Sequence, residues 1–238
     1  MRRAYLDHNA TSPLRPEVRA RWMELLSEDL GNPSSVHGSC RRARALIDEA
    51  RARVAGALRV QEDELFFTSG ATEANNLALF GARARGRARQ GLVLSPAEHS
   101  SLLGPARALA AEGHVLTWLS LDREGLPRLE ELLARARDPS TTFVGVSAAN
   151  NETGAAPDLE TLGEHWRTLA RLRPHLHVDA VQALGKLPLA LDRWEADTAS
   201  FSVHKVGGPL GVGVLWRRRG VMLEPRAFGG GQELELRP

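Results

Sequence analysis

The chain is poor in the side chains that most often carry covalent and redox chemistry: its 238 residues include one cysteine, one tyrosine and two lysines. A lone Cys40 excludes an intrachain disulfide and points to a reducing compartment, so a cytoplasmic location is expected. Long apolar runs are missing too. No stretch nears the roughly 18 residues of a membrane span. The N-terminal run Met1 to His8 has basic residues but no apolar core of signal-peptide length, so no membrane partner is expected. The charge excess is also small: 31 basic and 29 acidic residues give a formal net charge of +2. The densest basic run, Arg83 to Arg89, has no interleaved aromatics and reads as a solvated helix end, not a nucleic-acid contact. His175 and His177 alternate along an apolar segment without further ligands, so they are expected to be structural, with no metal site.

What remains is a globular composition, 42% hydrophobic and 25% charged, long enough to bury a core without disulfides or metals. The scarcity of lysine carries a hint of chemistry. Where a bare positive charge suffices, this chain uses arginine, whose guanidinium stays protonated; a lysine amine can lose its proton and attack a carbonyl. Lys186 and Lys205 are therefore candidates for amine chemistry.

Apolar runs alternate with amphipathic segments. The pattern predicts strands at 65–68, 92–95, 115–118, 143–147, 175–179, 198–202 and 212–216. Helices are predicted near 16–26, 71–85, 100–112, 129–137 and 159–171, and Cys40 stands at the start of a further one. Such alternation predicts an α/β domain around a mostly parallel sheet flanked by helices. Ligands of such sheets collect at the carboxyl ends of strands. The polar clusters fall at those ends: Thr68 to Thr72, Asn150 to Glu152, Asp179, and Ser202 to Lys205.

Ser69-Gly70-Ala71-Thr72-Glu73 joins a strand to a helix, and reads either as an ordinary βα turn or as a phosphate cradle at a helix N-terminus. Asp179 is either a cap or the counter-ion of a cationic ring, with Gln182 three residues on. Ser202 and His204 offer donors two residues apart, with the Lys205 amine beside them. An aspartate and a lysine on separate strands, with donors beside the lysine, suit a cofactor with a ring nitrogen at one end and a phosphate at the other.

Seven segments resemble the cysteine desulfurases: Tyr5 to Thr11, Gly31 to Gly38, Thr68 to Asn76, Glu98-His99, Asn150 to Gly154, His177 to Gln182 and Ser202 to Lys205. They occur in the family's order and cover nearly the whole chain. The resemblance implies a pyridoxal 5'-phosphate enzyme of fold type I, class V. Residues 1–15 are then expected to be an N-terminal arm, and residues 16–238 the large cofactor-binding domain. It further implies that Lys205 holds the cofactor and shuttles protons, Asp179 pairs with the pyridine nitrogen, and His99 stacks on the ring and assists proton transfer. Asn151 and Gln182 would serve the ring hydroxyl region; Ala71 (through its backbone), Thr72, Ser202 and His204 would hold the phosphate. The implied substrate is L-cysteine, giving alanine and an enzyme persulfide for iron–sulfur cluster or thio-cofactor synthesis, in a homodimer served by a sulfur-acceptor or scaffold protein.

In the family a C-terminal small domain carries the nucleophilic cysteine and an arginine for the substrate carboxylate. Both are expected to be missing from this chain, which ends shortly after Gly229-Gly230-Gly231, and Cys40 is expected to be structural. Related readings are another class V enzyme, such as a selenocysteine lyase or aminotransferase, or a non-catalytic cofactor-binding fragment.

Overall fold

A computed structural model describes residues 4–82, 89–169 and 173–238. Its strands, in chain order, are β1 Leu65–Thr68, β2 Gly91–Leu94, β3 Val115–Trp118, β4 Thr141–Ser147, β5 His175–Asp179, β6 Thr198–Ser202 and β7 Gly213–Arg217. They form one sheet in the order β1-β7-β6-β5-β4-β2-β3. The pairs β2–β3, β2–β4, β4–β5 and β5–β6 are parallel; β7 runs antiparallel to both of its neighbours. Six strands therefore point one way and β7 alone is reversed. The mostly parallel sheet expected from the sequence is what forms, made mixed by β7.

The helices are α1 Pro16–Leu26, α2 Gly38–Leu58, α3 Ala71–Gly81, α4 Ser100–Ala111, α5 Leu129–Ala136 and α6 Leu159–Arg167. Leu92 and Leu94 of β2 pack with Leu79 of α3 and with Leu102 and Leu109 of α4. Val93, between them, joins Leu132 of α5 and Trp166 of α6 in a second cluster. Successive side chains of a strand point to opposite faces, so the sheet is covered by helices on both sides. That explains why β2 is buried at every position and β4 at all but its last, and why these strands read as unbroken apolar runs.

Element existence follows the sequence closely, and the ends shift by a few residues. The helix predicted to reach Arg85 ends at Gly81, and the one predicted to reach Arg171 ends at Arg167. The basic run from Arg83 lies outside the described residues, Arg89 excepted. The long helix α2 had been visible only at its start, around Cys40. It runs 21 residues and buries only Cys40, Ala43, Ala55 and Leu58. Helix α1 buries no residue, leaving Trp22, Met23 and Leu26 exposed. No described helix is long and apolar enough to cross a membrane, and no cluster of metal-ligating side chains occurs among the described residues.

Candidate functional site

Because β7 alone is reversed, the carboxyl ends of β1, β2, β4, β5 and β6 share one edge of the sheet with the amino end of β7. A cavity of about 500 Å³ opens there. All nine residues predicted from the sequence line it: Ala71, Thr72, His99, Asn151, Asp179, Gln182, Ser202, His204 and Lys205. His175 and His177 are not among its lining residues.

One end of the cavity is built for an anion. The turn after β1 passes through Gly70, at φ 156°, into α3. The first bond of that helix runs from Ala74 N–H to the Gly70 carbonyl at 3.1 Å, so the N–H groups of Ala71, Thr72 and Glu73 precede the ladder. Such N–H groups and the positive end of the helix favour a phosphate. Gly70 is required by its backbone angle and Gly213 by crowding: a Cβ on Gly213 would stand 2.6 Å from the Gly70 Cα. Ser202, at the end of β6, and His204 border the same cavity. Burial holds His204 below the usual histidine pKa, and the neighbouring Lys205 charge adds to this.

Asp179 ends β5 and is buried. Its Oδ1 accepts from the Val181 N–H at 3.1 Å, and its Oδ2 from Asn75 Nδ2 at 2.8 Å. Burial raises its pKa; the bonds from Asn75 and Val181 and the charges of His99 and Lys205 oppose that rise. His99 is the N-cap of α4, its Nδ1 accepting from the Ser101 N–H at 3.2 Å and lying 2.7 Å from the Ser101 hydroxyl.

Lys205 closes a 3-10 turn, Val203–Lys205, directly after β6. Its Nζ donates to the carbonyls of Asn9 and Ala10 at 2.7 and 2.6 Å. The N-terminal segment is thus strapped across the site. Ser12 bonds the His204 and Lys205 carbonyls, Gln182 Nε2 donates to the Asn9 carbonyl, and Asn9 Nδ2 to that of Asn151. Burial lowers the Lys205 pKa, the Lys186 charge lowers it further, and Asp179 and Asp7 pull the other way. The arm expected at residues 1–15 therefore contributes Asn9 and Ala10 to the cavity wall, which the sequence reading had not assigned. Asn75 is likewise unassigned; an asparagine inside an apolar helix was the only signal for it.

Glu98 lies behind the cavity, buried, and accepts a hydrogen bond from the Ser147 hydroxyl. Burial pushes its pKa up from 4.5 to about 8; the Ser147 bond opposes this and the Asp179 charge adds to it. The native state therefore keeps a proton that the unfolded chain has released, so this group's stabilisation is whole below pH 4.5 and lost as pH rises through about 8. Replacing Glu98 by glutamine is expected to remove that decline, worth up to about 5 kcal/mol over the window. Urea midpoints of wild type and variant at mildly acidic and mildly alkaline pH check it; parallel pH dependence of the two would refute it.

Compared with known proteins, the Aminotransferase class-V family model matches residues 4–236. The chain belongs to the class-V aminotransferase family. Within that family it is 39% identical to the cysteine desulfurase IscS of Dictyoglomus turgidum over 233 residues, covering 98% of this chain and 58% of that protein. It is 37% identical to cysteine desulfurase IscS 1 of Archaeoglobus fulgidus over 235 residues, 98% of this chain and 60% of the relative. A solved NifS-like protein superposes with a TM-score of 0.94 at 36% identity, over 100% of this chain and 65% of that one. The structure of SspA in complex with cysteine superposes at 0.90 and 33% identity, over 98% and 67%. This class-V chain spans about three fifths of the length of the curated relatives it matches.

Proposed function

We propose that this chain is the pyridoxal phosphate-binding part of a cysteine desulfurase, with residues 1–15 as its arm and 16–238 as its large domain. The observation that carries the reading is the convergence of one reactive amine, one buried carboxylate and one anion cradle on a single cavity of about 500 Å³. Those three features match the aldehyde, the pyridine nitrogen and the phosphate of that cofactor in chemistry. The IscS names of the relatives, and cysteine in the SspA complex, support L-cysteine as substrate.

When bound, the cofactor supplies an electrophilic aldehyde and an electron-accepting ring. Lys205, whose Nζ is bonded to the Asn9 and Ala10 carbonyls, would hold the aldehyde, and its depressed pKa favours the free amine. Asp179 keeps a proton at the pyridine nitrogen. The N–H groups of Ala71 and Thr72, the Ser202 hydroxyl and His204 hold the phosphate. Asn151 and Gln182 would serve the ring hydroxyl, and His99 would stack on the ring and assist proton transfer. The overall reaction transfers the substrate's sulfur to a thiolate, leaving alanine and a persulfide. Cys40 is free but buried and is not a cavity residue, so it does not serve as that thiolate. A homodimer, a sulfur-acceptor or scaffold protein and a cytoplasmic setting complete the reading.

The test is to load the chain with pyridoxal phosphate and titrate it with L-cysteine, L-alanine and L-selenocysteine, following the absorbance of the bound cofactor. A change with L-cysteine at the lowest concentration supports the proposal. Preference for L-alanine with release of a 2-oxo acid would make the chain part of an aminotransferase instead, and preference for selenocysteine part of a lyase.

A further inference from the structure

Asn75 lies in the middle of α3, with no exposure to solvent, and every polar atom of its side chain is engaged. Nδ2 donates to Asp179 Oδ2 at 2.8 Å and to the Ser101 hydroxyl at 2.7 Å; Oδ1 lies 2.9 Å from His177 Nε2. The chain of bonds continues inward. His177 Nδ1 lies 2.9 Å from Thr198 Oγ1, and the same oxygen lies 2.7 Å from His175 Nε2. Outward, the Ser101 hydroxyl meets His99 Nδ1.

The protonation of Asp179 sets the proton order along this chain. An ionised Asp179 accepts and cannot donate, so Asn75 must turn its NH2 toward Asp179 and Ser101 and its oxygen toward His177. His177 then carries its hydrogen on Nε2 and accepts at Nδ1 from the Thr198 hydroxyl, which in turn accepts from His175 Nε2–H. Ser101, having accepted from Asn75, donates its hydroxyl hydrogen to His99 Nδ1, which also accepts from the Ser101 N–H, so the His99 hydrogen stands on Nε2. A protonated Asp179 permits the reverse: a flipped amide and His177 carrying its hydrogen on Nδ1. Both inner histidines are neutral at physiological pH, since burial depresses His175 to about 4 and His177 to about 3, so each has one ring hydrogen to assign.

We infer that Asn75 is a positioning residue that fixes the orientation of the Asp179 carboxylate and, through the Ser101 hydroxyl, holds the His99 ring in place, with His177, Thr198 and His175 locking its amide in one direction. This inference rests on the cofactor reading above for the roles of Asp179 and His99, but the proton order is a property of the cofactor-free chain.

The test is nitrogen-15 NMR of the histidine rings in the cofactor-free chain, for wild type, Asn75→Asp and Thr198→Val. Asn75→Asp keeps the shape and sets a second carboxylate against Asp179. Thr198→Val removes the inner hydroxyl, far from the cavity, with a residue suited to a buried strand. In wild type, His177 is expected as the Nε2–H tautomer and His99 with Nδ1 unprotonated. In Thr198→Val the His177 tautomer is released to a mixture. In Asn75→Asp the His99 and His177 signals both move, and affinity for pyridoxal phosphate falls about tenfold to a hundredfold, the range for one hydrogen bond to a charged group. His177 as Nδ1–H in wild type, or unchanged His99 and His177 signals in Asn75→Asp, would overturn the inference. Failure of wild type to bind the cofactor would sink the proposed function while leaving the ring signals to decide this question separately.

Discussion

Substituting Lys205 by alanine is expected to abolish dialysis-resistant uptake of pyridoxal phosphate, whereas Lys186→Ala keeps it. The argument is chemical before it is structural. Arginine cannot serve as the amine, because it is protonated at any accessible pH, and only two lysines are present. Of these, only Lys205 lines the cavity. It follows β6 by a single 3-10 turn, so a rigid central strand sets its reach. In Lys205→Ala the anion cradle and Asp179 remain, and a weaker, exchangeable association survives. Absorbance after dialysis, followed by borohydride reduction and peptide mapping, reads the difference. Label on Lys186 in wild type, or retained label in Lys205→Ala, would refute the assignment.

The largest expected loss of stability comes from Glu233→Ala. Glu233 is buried near the C-terminal end and accepts from Arg51 Nη2 at 2.8 Å and from the Phe67 N–H at 2.8 Å. Arg51, in α2, also donates to the Leu65 carbonyl and lies over the Phe67 ring. Removing the carboxylate leaves a buried guanidinium and a strand N–H without their partner, a loss of about 3–5 kcal/mol. For a chain of this size that lowers Tm by roughly 10 °C. The effect reaches the site as well. The same tail holds Glu73 through Arg237, and Glu73 accepts from the Ser69 N–H in the anion cradle. Weaker cofactor binding is therefore expected alongside lower Tm, and equal unfolding midpoints for the variant and wild type would discard the account.

The site was largely legible from sequence because its residues sit where strands end. Buried parallel strands are rich in apolar residues, so a polar residue at a strand's carboxyl end marks the edge at which ligands bind, as at Asp179 and Ser202. Strand direction was not legible in that way. β7 looks like its neighbours as a string of residues, and its reversal shows only in its pairing with β6 and with β1, about 150 positions earlier. Helix α2 was hidden by its composition, since its buried stripe is made of alanine, one leucine and Cys40 and leaves little periodic contrast among the arginines. Asn75 was hidden for a different reason. It stands beside Asn76, which bonds the Thr72 carbonyl one turn back, and only the packing of α3 against β5 tells the two apart.

The place of β7 has a consequence for how the molecule comes into being on the ribosome. β1 is made first of the seven strands but joins the sheet only through β7, made last. Through the synthesis of some 145 intervening residues, Leu65 to Thr68 have no strand partner, and the cradle at Ser69 to Thr72 has no Gly213 to seat against. The central strands can assemble in the meantime, but the apolar segment Leu65-Phe66-Phe67 waits as an open edge, the kind of surface that recruits foreign strands. Nascent chains stalled before residue 213 should therefore be the ones that aggregate or engage chaperones.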